Sequence, residues 1–203
     1  VEKLVIIGAG SHGSGIETIV NAINQENLTW DLLGYLDDDH NKAGVIGDID
    51  HLIEGAYYVI GVNEPNLKKS LYHKKRMNTP ATIIHPSASI GSNTTIGEGV
   101  VIFAGAIVTG NVHIGQHSHV NVGSTVSQGS SIGQFCSIAP GVNIAGQVTV
   151  GEETLIGTGC SIIHLINIAR NTTIGAGSVI IRDITEEKCT VVGIPGKVIK
   201  HNE

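Results

Sequence analysis

The sequence predicts a small α/β unit followed by a parallel β-solenoid, and three observations carry that fold class. An aliphatic residue recurs every six positions through the C-terminal half, and a strand–glycine loop–helix pattern opens the chain. Composition agrees with both: of 203 residues, 41% are hydrophobic and 27 are Gly, while only one Trp, four Tyr and two Phe are present. A core with so few aromatic rings must fill its volume with Ile and Val in closely spaced, repeated layers.

The first element is Leu4-Val5-Ile6-Ile7, a continuous apolar run of the kind found in strands covered on both faces. Gly8-Ala9-Gly10-Ser11-His12-Gly13-Ser14-Gly15 follows at once, and then Ile16, Ile19, Val20 and Ile23 recur at helical spacing. Such a turn aims backbone N–H groups and the positive end of a helix dipole at one point, where a phosphate can sit. Leu32-Leu33-Gly34-Tyr35-Leu36 predicts a second strand that ends in Asp37-Asp38-Asp39. An acidic residue roughly 20 or more positions after the glycine turn is where a Rossmann-like unit holds a nucleoside. Tyr57-Tyr58-Val59-Ile60 predicts a third strand, ending at Gly61-Val62-Asn63-Glu64. The stretch before Ile84 is too short for a complete dinucleotide fold, so it reads as a mononucleotide site or as a purely structural βα turn. Lys68, Lys69, Lys74, Lys75 and Arg76 decorate the next helix and read as its solvated face.

From Ile84 to Ile180 every sixth residue is Ile or Val, seventeen positions without an insertion. The next residue is usually Gly (Gly91, Gly97, Gly115, Gly133, Gly151, Gly157, Gly175), which reads as a corner of unusual φ. Four residues after the aliphatic sits a small side chain, such as Ala88, Thr94, Ser118, Ser124, Cys136 or Cys160, with Ile166 the large exception. The small residue and the following aliphatic are two apart, so they share one face of a short strand. Strand, corner, strand describes a hexapeptide solenoid with aliphatic ladders inside.

Several classes are excluded. A net charge of −6 argues against a nucleic-acid backbone binder. No run reaches the ~18 consecutive apolar residues of a membrane span and no signal peptide opens the chain, so a cytoplasmic protein without membrane insertion is expected. Cys136, Cys160 and Cys189 form neither a disulfide framework nor a Cys-x-x-Cys pair, and the histidines follow no zinc spacing, so no metal is expected.

In order, the Gly8–Gly13 loop, Leu36-Asp37-Asp38, Ile84-His85-Pro86-Ser87-Ala88, the hexads and Gly193-Ile194-Pro195-Gly196-Lys197 resemble one family over essentially the whole chain. It is that of the bacterial nucleotide-amino-sugar N-acetyltransferases and sialic acid O-acetyltransferases, which are hexapeptide-repeat acyltransferases. The resemblance implies a left-handed β-helix, with residues 1–80 binding a nucleotide-linked amino sugar or sialic acid and residues 81–203 binding acetyl-CoA. It also implies a homotrimer with sites between neighbouring β-helices, and acetyl transfer to an amino or hydroxyl group in surface-glycan biosynthesis. Residue by residue, Gly10, Ser11 and His12 become the phosphate loop, Asp37 and Asp38 face the base or ribose, and Gly61 lines the same cleft. Asn121 matches a polar position of the catalytic stretch, and the Gly146 N–H becomes the donor to the thioester oxyanion. Thr158 and Ala176 become contacts for the pantetheine and nucleotide of CoA.

The chain departs from this pattern at two positions. Gln128, in Ser127-Gln128-Gly129, stands where the family has its general-base His, and Gln cannot accept a proton at neutral pH. Ser137 stands where a second His would contact the acyl donor. His164 holds the same hexad position two coils after Gln128 and is the candidate replacement base; His119, one coil before Ser137, is the candidate second His, with His117 at a nearby corner. A general base is worth ~10²–10⁴-fold, so a catalytically impaired homologue that binds nucleotide sugar or CoA is the alternative, and a structural trimer the third reading.

Overall fold

The computed structural model describes residues 1–51, 53–74 and 79–201; Lys75 and Arg76 of the basic helix lie outside them. The α/β unit runs β1 (Glu2–Ile7), α1 (Ser11–Glu26), β2 (Trp30–Leu36), β3 (Val45–Gly47), β4 (Tyr57–Ile60), α2 (Pro65–Lys74) and β5 (Thr79–Pro80). The five strands form one parallel sheet in the order β3-β2-β1-β4-β5. The chain reverses direction across the sheet between β1 and β4, and the crevice outside the C-terminal ends of such strands is where open α/β sheets bind ligands. Because side chains alternate along a strand, Leu4 and Ile6 pack with Ile16, Ile19 and Val20 on one face, while Val5 and Ile7 pack with Tyr58, Ile60 and Leu71 on the other.

The first of these two cores does not stop at the unit's edge. It continues through Ala81 and Ile83 into Val101 and Phe103, which belong to the solenoid. The α1 face of the sheet therefore rests on the first coils.

From Ile83–Ile84 to Val179–Ile180 the chain is a left-handed β-helix of two-residue strands joined by tight corners. Partners are 18 residues apart: Ile83 pairs Val101, Val101 pairs His119, and His119 pairs Ser137. That face continues through Leu155 and Thr173. A second face stacks Ser89, Ile107, Thr125, Asn143, Ser161 and Val179, and a third stacks Thr95, His113, Ser131, Thr149 and Asn167. The inward aliphatics are buried from Ile102 onward, whereas Ile90 at the open N-terminal end remains 36% exposed. The solenoid outlasts the hexad repeat: Cys189–Gly193 pairs in parallel with Thr173 and Ile174, and Gly196–His201 folds back on it as an antiparallel hairpin.

The Gly that recurs after the aliphatic has a different reason from the one its spacing suggests. None of Gly91, Gly97, Gly115, Gly133, Gly151, Gly157 or Gly175 has a positive φ. A Cβ on Gly115 would instead lie 2.5 Å from the backbone N of Gln134 in the next coil, and one on Gly133 would lie 2.5 Å from that of Glu152. The left-handed corners fall elsewhere, at Gly105, Gly123 and Gly141 on one edge and at Asn111, His117 and Phe135 on the others. These glycines thus permit coil-on-coil contact rather than a turn. Gly115→Ala is expected to cost about 1–3 kcal/mol by forcing the coils apart, read as a lower midpoint in chemical denaturation, although the backbone angle at residue 115 suits any amino acid.

Candidate functional site

The loop after β1 is held closed by backbone contacts. A Cβ on Gly13 would sit 2.1 Å from the Gly8 carbonyl oxygen, and one on Gly61 would lie 2.9 Å from both that oxygen and the Gly13 Cα. Gly61 is buried and its N–H donates to Ile7, so it packs the strand against the helix and does not line the cleft as expected. Gly10 is the reverse case, with nothing within 4 Å of where its Cβ would be. The first backbone bond into α1 is from Ser14 N–H to the Gly10 carbonyl. Among the described residues no hydrogen bond uses the amides of Ser11 and His12, which leaves donors at a helix start that has no acidic residue in its first turn.

Asp37 closes this loop from β2. Its Oδ2 accepts the Ala9 N–H at 2.8 Å, its Oδ1 accepts the Asp39 N–H, and both oxygens lie 3.0 Å from the Lys42 ammonium. Partial burial opposes ionisation, but the Ala9 and Asp39 amides and Lys42 prevail and hold the carboxyl below its ordinary value. Asp38 is exposed and accepts the Ile49 N–H. Asp37 therefore shapes the loop, and Asp38 stands at its open side.

A layer of polar side chains joins the two units. Lys68 of α2 is fully buried; its ammonium donates to the Cys136 carbonyl at 2.7 Å and to Ser137 Oγ at 2.8 Å. Ser137 in turn donates to the Asn63 carbonyl at 2.5 Å. Beside them His12 Nε2 lies 2.8 Å from His119 Nδ1 with the rings stacked, and Tyr72 and Phe135 pack on His117. Lys69 reaches Glu153 at 2.6 Å on the rim. Burial pushes Lys68 down to about 7, and burial with the Lys68 charge lowers His12 and His117 to about 4 and His119 well below its usual value.

This layer corrects three sequence readings. Lys68 is not on a solvated face, because it shares the stripe of Pro65 and Leu71 that faces inward. His119 and Ser137 are wholly buried under the α/β unit and cannot touch an acyl donor. The Lys68–Ser137 pair, which in an open cleft would suit nucleophilic catalysis, is likewise sealed.

Two of the open spaces among the described residues bear on these readings. A cavity of about 480 Å³ between the units is lined by Ser11, His12, Asn63, His85, Phe103 and Asn121, among others. Asn121 thus joins the loop residues. A groove of about 470 Å³ is lined by Gln128, Gly146 and His164 with Asn111, Gly129 and Gln147. Gln128, Gly146 and His164 follow Thr125, Asn143 and Ser161, which stack in register, so they succeed one another along one edge of the prism. Among the described residues no hydrogen bond uses the Gly146 N–H. Thr158 and Ala176 are exposed on a different edge, across the face that carries Asn143 and Ser161.

Comparison with known proteins adds to this geometry. The family described as the PglD N-terminal domain matches residues 3–75. The UDP-N-acetylbacillosamine N-acetyltransferase of Bacillus subtilis is 31% identical over 114 residues, and the match spans about half of each chain, 50% of this one and 51% of the relative. The acetyltransferase domain of PglB from Neisseria gonorrhoeae superimposes with a TM-score of 0.89 at 28% identity, covering 98% of this chain and 100% of that one. A mutant of the GDP-perosamine N-acetyltransferase of Caulobacter crescentus, in complex with CoA and GDP-perosamine, gives 0.91 at 28% identity over 98% of each chain. The chain is thus similar over almost its whole length to solved sugar acetyltransferase structures, and its N-terminal unit matches the PglD N-terminal domain family.

The groove holds Gln128 at the position where the resemblance led to the expectation of a base, and the His that lines this groove is His164. Sequence reasoning did not single out Asn63, His85 or Phe103 for the cavity, since each belongs to a different element and only the docking of the two units gathers them. Lys68 was legible in principle from its spacing to Leu71. No helix among the described residues is long and apolar enough to cross a membrane, and no group of three or more metal-binding side chains is present among them.

The buried histidines have a consequence for acid stability. Each is neutral in the fold and titrates near 6.5 when unfolded, so below pH 6.5 the unfolded chain takes up protons first. Stability is therefore expected to fall as pH drops from 6.5 towards 4, by up to ~1.4 kcal/mol per pH unit for each such His. Among the described residues neither ring nitrogen of His117 has a hydrogen-bond partner. Phe135 holds the equivalent corner one coil later at the same left-handed φ. His117→Phe is expected to leave stability at pH 8 unchanged or higher and to flatten the acid slope by one proton, measured by thermal melts across pH.

Proposed function

We propose that the protein transfers an acetyl group from acetyl-CoA to the amino group of a nucleotide-linked sugar, for bacterial surface-glycan biosynthesis in the cytoplasm. The observation that carries this reading is the groove in which a free backbone N–H at Gly146 is flanked, one coil to either side, by Gln128 and His164. In that reading the α/β unit up to residue 80 holds the nucleotide, with Gly10, Ser11 and His12 at the phosphates and Asp38 towards the nucleoside. The solenoid from residue 81 holds the coenzyme. The relatives with CoA and GDP-perosamine bound support this division.

The sugar amine attacks the thioester carbonyl, forming C–N as the carbonyl oxygen becomes an oxyanion that accepts the Gly146 N–H. His164 takes the amine proton, and the C–S bond breaks to release CoA thiol after the proton is returned to sulfur. Gln128 orients the amine, and fixed proximity supplies much of the rate. Asn121 lies at the cavity on another edge of the same chain, so the acceptor it holds is presented to the groove of a neighbouring copy. Thr158 and Ala176 lie on a different edge from Gly146, which supports a site shared between copies, with the coenzyme arm of one protomer's groove running against the partner's edge in a homotrimer.

The test is thiol release from acetyl-CoA with a panel of UDP- and GDP-linked amino sugars. Release is expected only with an amino acceptor present. His164→Ala is expected to lower kcat by ~10²–10⁴-fold. Gly146→Ala, whose Cβ would lie 3.2 Å from the Gln128 carbonyl, is expected to raise KM for acetyl-CoA. Binding of nucleotide sugar without release of thiol across the panel would reduce the chain to a binding protein.

A further inference from the structure

The His12–His119 contact joins the buried layer to the open cavity. His12 lines that cavity, while His119 lies wholly beneath it. Their nitrogens are 2.8 Å apart, so one proton sits between two rings. Burial and the Lys68 charge keep both rings neutral at physiological pH, hence each carries a single N–H. Two arrangements satisfy this contact. If His12 donates from Nε2, His119 must carry its own proton on its Nε2, which is buried and, among the described residues, without a partner. If His119 donates from Nδ1, the buried Nε2 is a bare lone pair, and His12 carries its proton on Nδ1.

The first arrangement strands an N–H in the interior, where it loses its hydration without a compensating partner, and orphaned buried N–H groups are rarer in folded proteins than under-satisfied carbonyl acceptors. The Lys68 ammonium in the same layer adds to that cost, since a cation favours a bare nitrogen nearby over another unpaired N–H. The second arrangement leaves only an acceptor unsatisfied. The His12 Nε2 is then occupied from below, so its Nδ1 is the nitrogen left for a ligand.

We propose that His119 is a positioning residue, which locks His12 in the Nδ1–H form and so makes it an uncharged hydrogen-bond donor to the acceptor oxygens of the ligand in the cavity. The acceptor chemistry that matches is a phosphate oxygen of a nucleoside diphosphate, because the amides of Ser11 and His12 supply further donors at the same helix start. A neutral donor binds a diphosphate without depending on the histidine's own ionisation, so affinity stays level through neutral pH. This deepens the proposed function and rests on it for the identity of the ligand, but the tautomer itself does not depend on the reaction.

Nitrogen-15 NMR of the histidine rings in the ligand-free protein tests the tautomer first. His12 is expected to show protonated Nδ1 and bare Nε2, and the opposite pattern would overturn the proposal whatever the protein catalyses. Calorimetry with UDP and with GDP as probes follows. His119→Leu is expected to lose the fixed tautomer of His12 and to weaken the probe that binds wild type by about tenfold or more. His119→Asn, whose side-chain amide can place an N–H where Nδ1 stood, is expected to restore both. In the transfer assay His119→Leu should raise KM for the nucleotide sugar while leaving kcat and KM for acetyl-CoA near wild type. Equal binding by wild type and His119→Leu, in a variant that keeps the wild-type melting behaviour, would also overturn it. Failure of thiol release with the expected tautomer and binding would instead count against the proposed function alone.

Discussion

The covered face of the prism is the constraint on which the rest depends. One of its three faces carries His119 and Ser137 as outward-pointing residues, where a free-standing solenoid would show them to water. The α/β unit covers them completely. Polar groups removed from water must find partners or cost free energy, and they find them across the boundary, in Lys68, the Asn63 carbonyl and His12. Apolar packing of Ile16 and Ile19 against Val101 and Phe103 favours contact but tolerates sliding. The hydrogen bonds do not, since they are directional and fail within a few tenths of an ångström. They fix the nucleotide-loop side of the molecule relative to the coils.

That fixed relation divides the chemistry by edge and by charge. Lys68, His12, His117 and His119 form a layer in which burial favours neutral bases, and the open cavity lies directly above it. The groove with Gln128, Gly146 and His164 is on another edge, away from that layer. An acid–base step placed in the groove therefore proceeds in a different electrostatic environment from ligand binding in the cavity.

Much of this was legible in the residues, and the misreadings have physical causes. The six-residue period gives the short strands and their aliphatic ladder, whereas three hexads to a coil came from the resemblance and is seen in the pairing at 18-residue intervals. The Gly positions were visible, but whether Gly serves φ or close approach depends on how near the next coil lies, which no local pattern records. Gly115 and Gly105 look alike in sequence and differ in just this respect. Lys68 reads as solvated because lysine usually is; its place on the Pro65–Leu71 stripe outweighs that preference once a carbonyl and a hydroxyl await the ammonium.

By itself the sequence determined the two architectures, their order, the glycine loop between the first strand and helix, and the shared hexad position of Gln128, Gly146 and His164, since each follows from periodicity or from neighbours along the chain. Only the tertiary structure decided which histidines are open and which are sealed, and that Asn63, His85 and Phe103 share a cavity with His12. Those facts come from docking one unit on one of three nearly equivalent faces. The choice among the faces depends on side chains far apart in sequence, which meet only when both units are folded.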